Sequence, residues 1–568
     1  MACQTSNSRK WQPNILSTFV FASVILCGIL DKCPTLAQQN QQAPPADDLF
    51  SSAAHLHKVF LAERNIAEFL KHYVGAVETK LAQVKSYLAE YNRLADEGVA
   101  NDEQFVEKIV GNPIHTFKMV KRFAVDLSAI WKSHPALDHL YLESEIGRIR
   151  STRVPEETDL AGAAYSLARV HHTYNLNLTD FTQGNVWGFP SKAGLTALDC
   201  LYVGRTSYDH GMHARAVEWF EESYRLAGLE RNATVDQNVV LQYWNMAVRA
   251  HDDQLAQRAA ATNGQPDVSF LSPLEGGHLY LEPVSQKPPA EQQQRELSAP
   301  RKHCVGLKCQ GWYDEMNYHV LCRGKQLLSD KALSKLKCYL ETKNHPFHVL
   351  KPTKTEELHR NPDIILLHDL LSDREIEHLK ALAEPSLSRS SVTGDYGAHT
   401  TYISDVRTSK NSWFDDSDDP VVAKMTKQVA RLTGLSMEGA EKLQMANYGL
   451  GGHFHSHYDT LFYGKTPEAL ALVPEENLRY GDRTATLMYY LTDVARGGAT
   501  VFPKLGVGTW PRKGGAVFWH NIKKNGEQER LVLHGACPVV HGTKWVANKW
   551  IRTKDQVFKR RCSLDPAQ

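Results

Sequence analysis

The sequence of 568 residues has almost no excess of charge, since 65 Lys and Arg stand against 64 Asp and Glu for a net charge of +1. It therefore lacks the basic excess that would indicate a nucleic-acid partner, and it has no acidic tail. Long apolar runs are also scarce, and after residue 30 none is long and apolar enough to cross a bilayer. The length predicts roughly two to four domains, and a hydrophobic fraction of 42% is ordinary for a globular protein.

The N-terminus has the pattern of a secretory signal peptide. Arg9 and Lys10 precede an apolar run over residues 15–30, and small residues up to Ala37 suit a signal peptidase. The alternative is a membrane anchor, but the run is short for a span and is interrupted by polar residues. We expect residues 1–37 to be removed and the mature protein to be soluble and lumenal.

Cysteine is scarce in the mature chain. Three of the ten cysteines leave with the signal peptide, and seven remain: Cys200, Cys304, Cys309, Cys322, Cys338, Cys537 and Cys562. An oxidising compartment permits disulfides. Cys304 and Cys309 either bond locally or belong to a zinc site, but no second ligand pair of suitable spacing follows them. The sequons at Asn177 and Asn232 predict N-glycosylation.

The N-terminal half shows helical periodicity. Between residues 66 and 91, apolar residues recur at steps of three and four, with charged residues between them and no proline. This pattern predicts one long helix with an apolar stripe along one side. The stripe packs either inside an intramolecular bundle or in a coiled coil between two chains, because it persists for more than three heptads.

Residues 159–261 are again helical in pattern. Around Gly204, Tyr208 and Phe220, small and aromatic residues have the spacing of one tetratricopeptide-type (TPR-like) helix pair, which needs flanking helices to cover its apolar face. Residues 262–311 follow as a linker containing Pro and Gly. From residue 312, short β-rich runs predict a double-stranded β-helix, or jelly roll, with flanking helices. The fold class is therefore multidomain α+β with an all-α N-terminal half.

One stretch of the C-terminal half has the pattern of a metal site. His457 and Asp459 are two positions apart in a predicted strand, so their side chains point to the same face. With the distant His534 they match a 2-His-1-carboxylate triad, which holds Fe(II) and leaves positions open for a co-substrate and dioxygen. His251 and Asp253 share the short spacing but lie in a helical segment, where residues two apart diverge.

Lys544 follows the last predicted metal ligand, on the next predicted strand. A lysine is a point charge on a long stem, which suits it to pair with the far carboxylate of a dicarboxylic co-substrate. Taken alone, Lys544 would be interpreted as a surface charge. Beside three metal ligands, it is predicted to be catalytic and co-substrate-binding.

Six runs of sequence resemble the catalytic domain of collagen prolyl 4-hydroxylase alpha subunits: YGLGG from Tyr448, HYD from His457, GGATVFP from Gly497, KGGAVFW from Lys513, HGACP from His534 and KWVANKW from Lys544. A weaker resemblance extends over almost the whole mature chain. It implies a procollagen-proline 4-dioxygenase that hydroxylates C4 of peptidyl proline in collagen-like Xaa-Pro-Gly sequences and converts 2-oxoglutarate to succinate. The implied cofactors are Fe(II), 2-oxoglutarate, O2 and ascorbate.

The resemblance also implies roles for individual residues. The triad binds Fe(II), Lys544 neutralises the C5 carboxylate of 2-oxoglutarate, and Tyr448 and Thr500 add hydrogen bonds. The family usually carries a Glu-Pro pair before the first ligand, where this chain has His455 and Ser456. His455 could bind a stray metal or donate a hydrogen bond to a residue beside the triad, but we interpret it as a solvent-side histidine near the mouth of the cavity. We assign no role to the neighbouring His453.

For the helical half, the resemblance implies a homodimerisation domain at residues 38–158 and a peptide-binding domain at 159–261. Tyr208 and Tyr243 stand where family tyrosines line a groove for proline-rich chains, which adopt a preformed polyproline II helix. The alternative is that these aromatics belong to the core. Met246 and Arg249 stand where the resemblance predicts tyrosine, which favours an altered substrate preference.

The catalytic domain is placed at residues 312–568. The resemblance pairs Cys322 with Cys338 and Cys537 with Cys562, and leaves Cys200 as a free buried thiol. It further implies assembly with protein disulfide isomerase as an α2β2 tetramer in the endoplasmic reticulum lumen. Residues 564–568 carry no retention signal, which fits retention through such a partner.

Two rival hypotheses remain. The first is the same chemistry on a non-collagen proline-rich secreted protein, which the altered tyrosine set supports. The second is a peptide-binding scaffold with an inactive oxygenase domain, and the intact triad argues against it.

Overall fold

The computed structural model describes residues 51–74, 82–95, 109–127, 155–261, 283–286, 304–309, 311–343, 345–393, 401–402, 405–463, 470–471, 473, 475–563 and 565. The predicted signal peptide and most of the predicted linker lie outside these residues. Among the helices that are described, none is long and apolar enough to cross a membrane.

The N-terminal half is helical, as predicted. Its elements are α1 (Ala53–Val74), α2 (Ala82–Ala95), α3 (Pro113–Lys121, continued by a π-helical turn, Arg122–Leu127), α4 (Glu157–Tyr174), α5 (Leu178–Thr182), β1 (Asn185–Val186), β2 (Phe189–Pro190), α6 (Ala197–Asp209), α7 (His213–Leu229) and α8 (Gln237–Ala261). Local sequence fixes several helix starts. A capping box of Thr196 and Asp199 begins α6, and the Asn112 side chain caps α3.

The prediction of one long helix over residues 66–91 is wrong. The Lys71 ammonium lies 5.7 Å from the centroid of the Tyr91 ring, whereas one straight helix would separate these residues by about 30 Å. Helices α1 and α2 therefore fold back on each other. The stripe residues Val84 and Leu88 are buried in a core formed within the chain. An intramolecular bundle accounts for the apolar stripe.

Helices α6 and α7 form the pair predicted around Gly204. A β-carbon at Gly204 would lie 2.6 Å from the Phe220 ring, so glycine is what lets the two helices approach. Ala247 of α8 joins Val217 and Phe220 of α7 in one buried cluster. Helix α8 thus supplies the cover that a single helix pair lacks.

The C-terminal half is built on two main sheets. Its strands are β3 (Cys338–Glu341), β4 (Thr353–His359), β5 (Ile364–His368), β6 (Ser388–Arg389), β7 (Val392–Thr393), β8 (Thr401–Tyr402), β9 (Lys410–Phe414), β10 (Leu443–Tyr448), β11 (Phe454–His457), β12 (Arg483–Tyr490), β13 (Arg496–Gly497), β14 (Thr500–Phe502), β15 (Val507–Thr509), β16 (Ala516–His520), β17 (His534–Ala536), β18 (Val539–His541) and β19 (Lys544–Arg552). The larger sheet has nine strands in the order β3-β4-β5-β16-β12-β19-β10-β9-β6, and the smaller has four in the order β11-β17-β14-β15.

In the described part of this half, six α-helices accompany these sheets: α9 (Gly311–Cys322), α10 (Asp330–Leu333), α11 (Phe347–Leu350), α12 (Asp373–Ala383), α13 (Pro420–Thr433) and α14 (Glu475–Arg479). Successive side chains of β12 point to opposite faces of the larger sheet and pack in two different hydrophobic clusters. Leu487 and Tyr489 pack in the cluster that includes α12 and α13, whereas Met488 and Tyr490 pack in a second cluster with Phe502 of the smaller sheet. The larger sheet is therefore covered by helices on one face and by the smaller sheet on the other.

The predicted disulfides Cys322–Cys338 and Cys537–Cys562 are wrong. Cys322 is bonded to Cys537, with 5.6 Å between their α-carbons, and Cys338 and Cys562 are free and exposed. Helix α9 packs against the smaller sheet, where the Tyr318 hydroxyl donates to the Ala536 carbonyl over 3.0 Å. This packing brings Cys322 beside Cys537, a proximity that spacing along the chain does not reveal.

The other cysteines agree with the sequence analysis. Cys304 is bonded to Cys309, which confirms the local pairing over the zinc site. Cys200 is a free buried thiol, as predicted.

Candidate active site

The three predicted metal ligands converge at one end of the smaller sheet. His457 ends β11 and His534 begins β17, and the two are direct partners in the antiparallel register. Asp459 lies two residues beyond the end of β11 and is buried. Among the described residues, His457, Asp459 and His534 form the one group of three or more potential ligands whose donor atoms all lie within 4.8 Å of one another.

The ligand atoms face a common point. The Nε2 atom of His457 lies 3.8 Å from Oδ1 of Asp459, and Nε2 of His534 lies 3.7 Å from Oδ2 of the same carboxylate. Each imidazole is oriented through its other nitrogen. Nδ1 of His457 donates to the His455 carbonyl over 2.8 Å, and Nδ1 of His534 donates to the Val532 carbonyl over 3.0 Å. Because a carbonyl only accepts, both Nε2 atoms keep a free lone pair for a metal.

The carboxylate is held by a second hydrogen-bonded layer. The Thr486 hydroxyl donates to Oδ2 of Asp459 over 2.6 Å, and the Asn521 amide donates to the Thr486 oxygen over 2.9 Å. Burial raises the pKa of Asp459, but His534, His457 and the hydrogen bond from Thr486 help to hold the pKa below its usual value. Asp459 is thus an anion at neutral pH, as a metal ligand must be.

Burial favours the neutral form of the first imidazole. Burial, with the neighbouring His534 as the next cause, lowers the pKa of His457 to about 3. The donor set of one carboxylate and two imidazoles therefore fits a divalent cation such as Fe(II) without further proton loss from His457.

Lys544 lies across the cavity, on β19, and is almost completely buried. Its ammonium lies 3.4 Å from the Thr500 hydroxyl and 5.6 and 5.8 Å from the ring centroids of Tyr448 and Tyr490. Burial lowers the pKa of Lys544 to about 7. Among the ion pairs of the described residues, none involves Lys544. A buried amine in this state gains an ion-pair partner if an anionic ligand binds beside it.

Tyr448 and Thr500 also line the cavity that contains the triad. Tyr448 is the register partner of Lys544 across β10 and β19. Thr500 accepts a hydrogen bond from the Tyr490 hydroxyl over 2.9 Å. The structure therefore brings together all six residues that the sequence analysis placed in the catalytic site.

The cavity also contains residues that no sequence motif singles out. Thr486 and Asn548 lie on strands β12 and β19, and their positions relative to buried neighbours could have indicated inward-facing side chains. Arg407 lies outside the named strands and carries no local signal. Its guanidinium donates to the Gln444 amide oxygen over 3.1 Å and lies 4.9 Å from the centroid of the Phe454 ring, which stacks on His457.

The interpretation of His455 as a solvent-side residue is wrong. The register of β11 shifts between Phe454 and His457, so strict alternation fails. The His455 ring instead faces Tyr318 of α9 at 6.2 Å and packs edge-on against His453 at 4.7 Å. Burial lowers the pKa of His455 to about 4.

The predicted peptide-binding residues lie on the α6–α8 bundle. Tyr208 of α6 lines an open groove together with Met246, Arg249 and other residues of α8. Tyr243 is half-buried, with its ring 5.9 Å from Phe220, and packs on the helix core. His251, which shares the spacing of the metal ligands, is fully buried in α8. Its Nδ1 atom lies 2.8 Å from Oδ1 of Asp252.

The glycosylation sites predicted at Asn177 and Asn232 are both exposed. The Asn177 side chain also caps helix α5 by accepting from the backbone N–H of Asp180.

Comparison with known families agrees with this geometry. Residues 443–552, which include the triad and Lys544, match the model of the 2OG-Fe(II) oxygenase superfamily. Residues 52–188 match the model of the N-terminal region of the prolyl 4-hydroxylase alpha-subunit. The fold and site thus define an Fe(II)- and 2-oxoglutarate-dependent oxygenase, which uses O2.

Two named relatives that match nearly the whole chain narrow the class of protein to one family. The chain is 34% identical to prolyl 4-hydroxylase subunit alpha-1 of Rattus norvegicus over 531 residues, which is 91% of this chain and 95% of the relative. It is 33% identical to the Homo sapiens subunit alpha-1 over 534 residues, again 91% of this chain and 95% of the relative. The 2OG complex of viral collagen prolyl hydroxylase vCPH from Paramecium Bursaria Chlorella virus-1 is 25% identical, covers 33% of this chain and 95% of that chain, and has a TM-score of 0.26. The chain belongs to the family of prolyl 4-hydroxylase alpha subunits and is an iron- and 2-oxoglutarate-dependent prolyl 4-hydroxylase.

Proposed function

We propose that this chain hydroxylates C4 of proline in collagen-like Xaa-Pro-Gly sequences while 2-oxoglutarate is converted to succinate. The observation that carries the proposal is the buried Lys544 ammonium, which shares one cavity with His457, Asp459 and His534. Bound Fe(II), 2-oxoglutarate and O2 supply the oxidising chemistry. The chain supplies metal ligands of fixed orientation and a buried cation in the same cavity.

Each cavity residue has a proposed part in this reaction. His457, Asp459 and His534 hold Fe(II). Lys544 pairs with the carboxylate of 2-oxoglutarate that is remote from the metal. This carboxylate gives the buried ammonium an ion-pair partner. The Thr500 hydroxyl, already 3.4 Å from the Lys544 ammonium, and Tyr448 donate further hydrogen bonds.

The finer architecture belongs to the same proposal. The two facing sheets form a double-stranded β-helix around the cavity. Helices α6–α8 form a TPR-like unit whose groove beside Tyr208 holds a proline-rich segment of substrate, with Tyr243 supporting it from the helix core. A polyproline II helix suits such a groove because it is already extended and stacks on aromatic rings.

A second substrate class is favoured by the chemistry of this groove. Met246, Arg249 and Asp253 line it along with Tyr208. One aliphatic and two charged side chains along the groove suit a proline-rich secreted chain that carries charge, rather than uncharged collagen repeats.

For assembly and location, we propose an α2β2 tetramer with protein disulfide isomerase in the endoplasmic reticulum lumen, with ascorbate restoring oxidised iron. The support is that the relatives are named as alpha subunits of prolyl 4-hydroxylase. Homodimerisation through residues 38–158 is part of this proposal, although the apolar stripe itself is buried within the chain.

The test is to co-express the full chain with protein disulfide isomerase and supply Fe(II), 2-oxoglutarate and ascorbate. With (Pro-Pro-Gly) repeats as substrate, we expect 4-hydroxyproline and succinate in equal amounts. Hydroxylation confined to charged proline-rich peptides would select the second substrate class. No product from any proline-rich peptide would overturn both.

A further inference from the structure

Helix α4 belongs to the N-terminal half but packs directly on the catalytic half. One continuous hydrophobic core contains Leu160, Ala163 and Leu167 of α4 together with Leu450 and Val501 of the catalytic half. The two halves are therefore joined by a shared core rather than by the linker alone. Arg323, just after α9, strengthens the junction by donating to the Thr173 carbonyl near the end of α4 over 2.7 Å.

Arg169 of α4 holds the turn that connects two strands of the active site. Its buried guanidinium donates to the Gly451 carbonyl over 3.1 Å and lies 3.4 Å from the Thr408 hydroxyl. Gly451 lies between Tyr448, at the end of β10, and β11, which ends at His457. Thr408 in turn exchanges backbone hydrogen bonds of 2.9 and 3.2 Å with His453, the residue before β11.

Tyr174, at the end of α4, makes the corresponding contact on the other side of the cavity. Its buried hydroxyl donates to the Pro538 carbonyl over 2.5 Å, and the same carbonyl accepts from the backbone N–H of Gly498 over 3.1 Å. Pro538 follows β17, which begins with His534, and Gly498 stands two residues before Thr500. The Tyr174 hydroxyl thus contacts a carbonyl that lies just after the strand of His534 and is hydrogen-bonded to the segment just before Thr500.

Glycine permits both close approaches. Gly451 has a φ of +56°, and a β-carbon there would lie 2.8 Å from the Ser166 carbonyl oxygen of α4. Gly497 has a φ of +77°, and its β-carbon would lie 2.8 Å from the Tyr174 hydroxyl. Any side chain at either glycine would push α4 away from the catalytic turns.

We infer that Arg169 and Tyr174 are positioning residues, through which helix α4 of the N-terminal half fixes the turns that carry the iron and 2-oxoglutarate site. Arg169 acts through Gly451 and Thr408 on the strands of Tyr448 and His457. Tyr174 acts through Pro538 on the strand of His534. The oxygenase sheets alone therefore do not contain everything that orders the catalytic cavity.

The test measures co-substrate binding in the full chain, without peptide and without oxygen, so it does not depend on the proposed substrate. Arg169→Ala, Arg169→Lys and Tyr174→Phe are compared with Glu157→Gln, an exposed charge in the first turn of the same helix. The dissociation constant for 2-oxoglutarate is read from the visible charge-transfer absorption that appears when it binds the Fe(II) form. Thermal unfolding of each variant without metal provides the second readout.

We expect Arg169→Ala to weaken 2-oxoglutarate binding about tenfold, as supporting residues around metal sites commonly do. Arg169→Lys should recover part of this loss because an ammonium still reaches one acceptor, and Glu157→Gln should bind normally. Hydrogen exchange of the 449–453 turn should rise in Arg169→Ala.

Lower thermal stability with unchanged binding and unchanged exchange would overturn the inference in favour of a packing role. If Arg169→Ala does not fold, Tyr174→Phe decides, since it removes one hydroxyl: unchanged binding overturns the inference, and a severalfold loss supports it.

Discussion

The hydroxyl of Thr486 lies 2.6 Å from Oδ2 of Asp459 and donates its proton to that carboxylate. Thr486 stands on β12, a central strand of the larger sheet, whereas the two histidine ligands stand on the smaller sheet. This hydrogen bond therefore links the larger sheet to the segment that follows β11 at the metal site. It also keeps the carboxylate from turning away from the two imidazoles.

Replacing Thr486 should weaken the metal site without removing a ligand. In Thr486→Val the shape of the side chain is kept, but Asp459 loses its donor, so we expect Fe(II) affinity to fall about tenfold. The measurement is an anaerobic Fe(II) titration. Thr484→Val is the matched control, since Thr484 is on the same strand but contacts the Thr553 hydroxyl. Equal losses in the two variants would show that the effect is not specific to Asp459.

The affinity for 2-oxoglutarate should depend on pH through Lys544. Burial lowers the pKa of this amine to about 7 in the ligand-free protein, and a bound carboxylate raises the pKa again because it stabilises the charged form. Below pH 7 the amine is already protonated, and binding needs no proton. Above pH 7 binding must take up a proton, so the dissociation constant should rise by up to about tenfold per pH unit.

Calorimetric titrations between pH 6.5 and 8.5, in buffers of different ionisation enthalpy, measure this proton uptake directly. Lys544→Ala should bind 2-oxoglutarate weakly, and the proton uptake above pH 7 should be absent. Uptake that persists in the variant would assign it to another group.

The disulfide between Cys322 and Cys537 should contribute substantially to stability. It joins helix α9 to the loop after β17, and a native disulfide that closes a long loop commonly contributes about 2–4 kcal/mol. Cys537→Ser should therefore unfold at lower denaturant concentration, whereas Cys338→Ser and Cys562→Ser should not. Peptide mapping without reduction should find the Cys322–Cys537 pair, and recovery of Cys322 bonded to Cys338 would contradict the structure.

Tyr208 provides a test of the peptide groove. If its ring binds substrate away from the reacting proline, Tyr208→Ala should raise KM for long peptides about tenfold and leave kcat unchanged, because uniform binding is lost. Tyr339→Ala, which removes an exposed tyrosine on β3, is the control. A fall in kcat with KM constant would place Tyr208 outside the groove interaction.

The catalytic residues could be predicted because their chemistry is concentrated in short runs. His457 and Asp459 are close in sequence, and the resemblance of the HGACP and KWVANKW runs to the family motifs places His534 and Lys544 with them. Even so, Asp459 lies beyond the end of β11 and not on it. Alternation within β11 also fails for His455, because a register shift in the strand moves its side chain toward α9.

The features that could not be predicted depend on contacts between distant segments. The apolar stripe between residues 66 and 91 fits one helix or two, and only the approach of Lys71 to Tyr91 shows the reversal. The partner of Cys322 is set by how α9 packs on β17. Arg169 has no motif around it, and its role becomes visible only when Gly451 lies against α4.

The iron content of the full chain tests the central claim most directly. The protein is loaded with Fe(II) without oxygen, desalted, and analysed for metal together with His534→Ala and His368→Ala, the latter removing a histidine that pairs with Glu356 on the larger sheet. We predict one iron per chain in the wild type and in His368→Ala, and none retained in His534→Ala. Full retention of iron by His534→Ala would contradict the account.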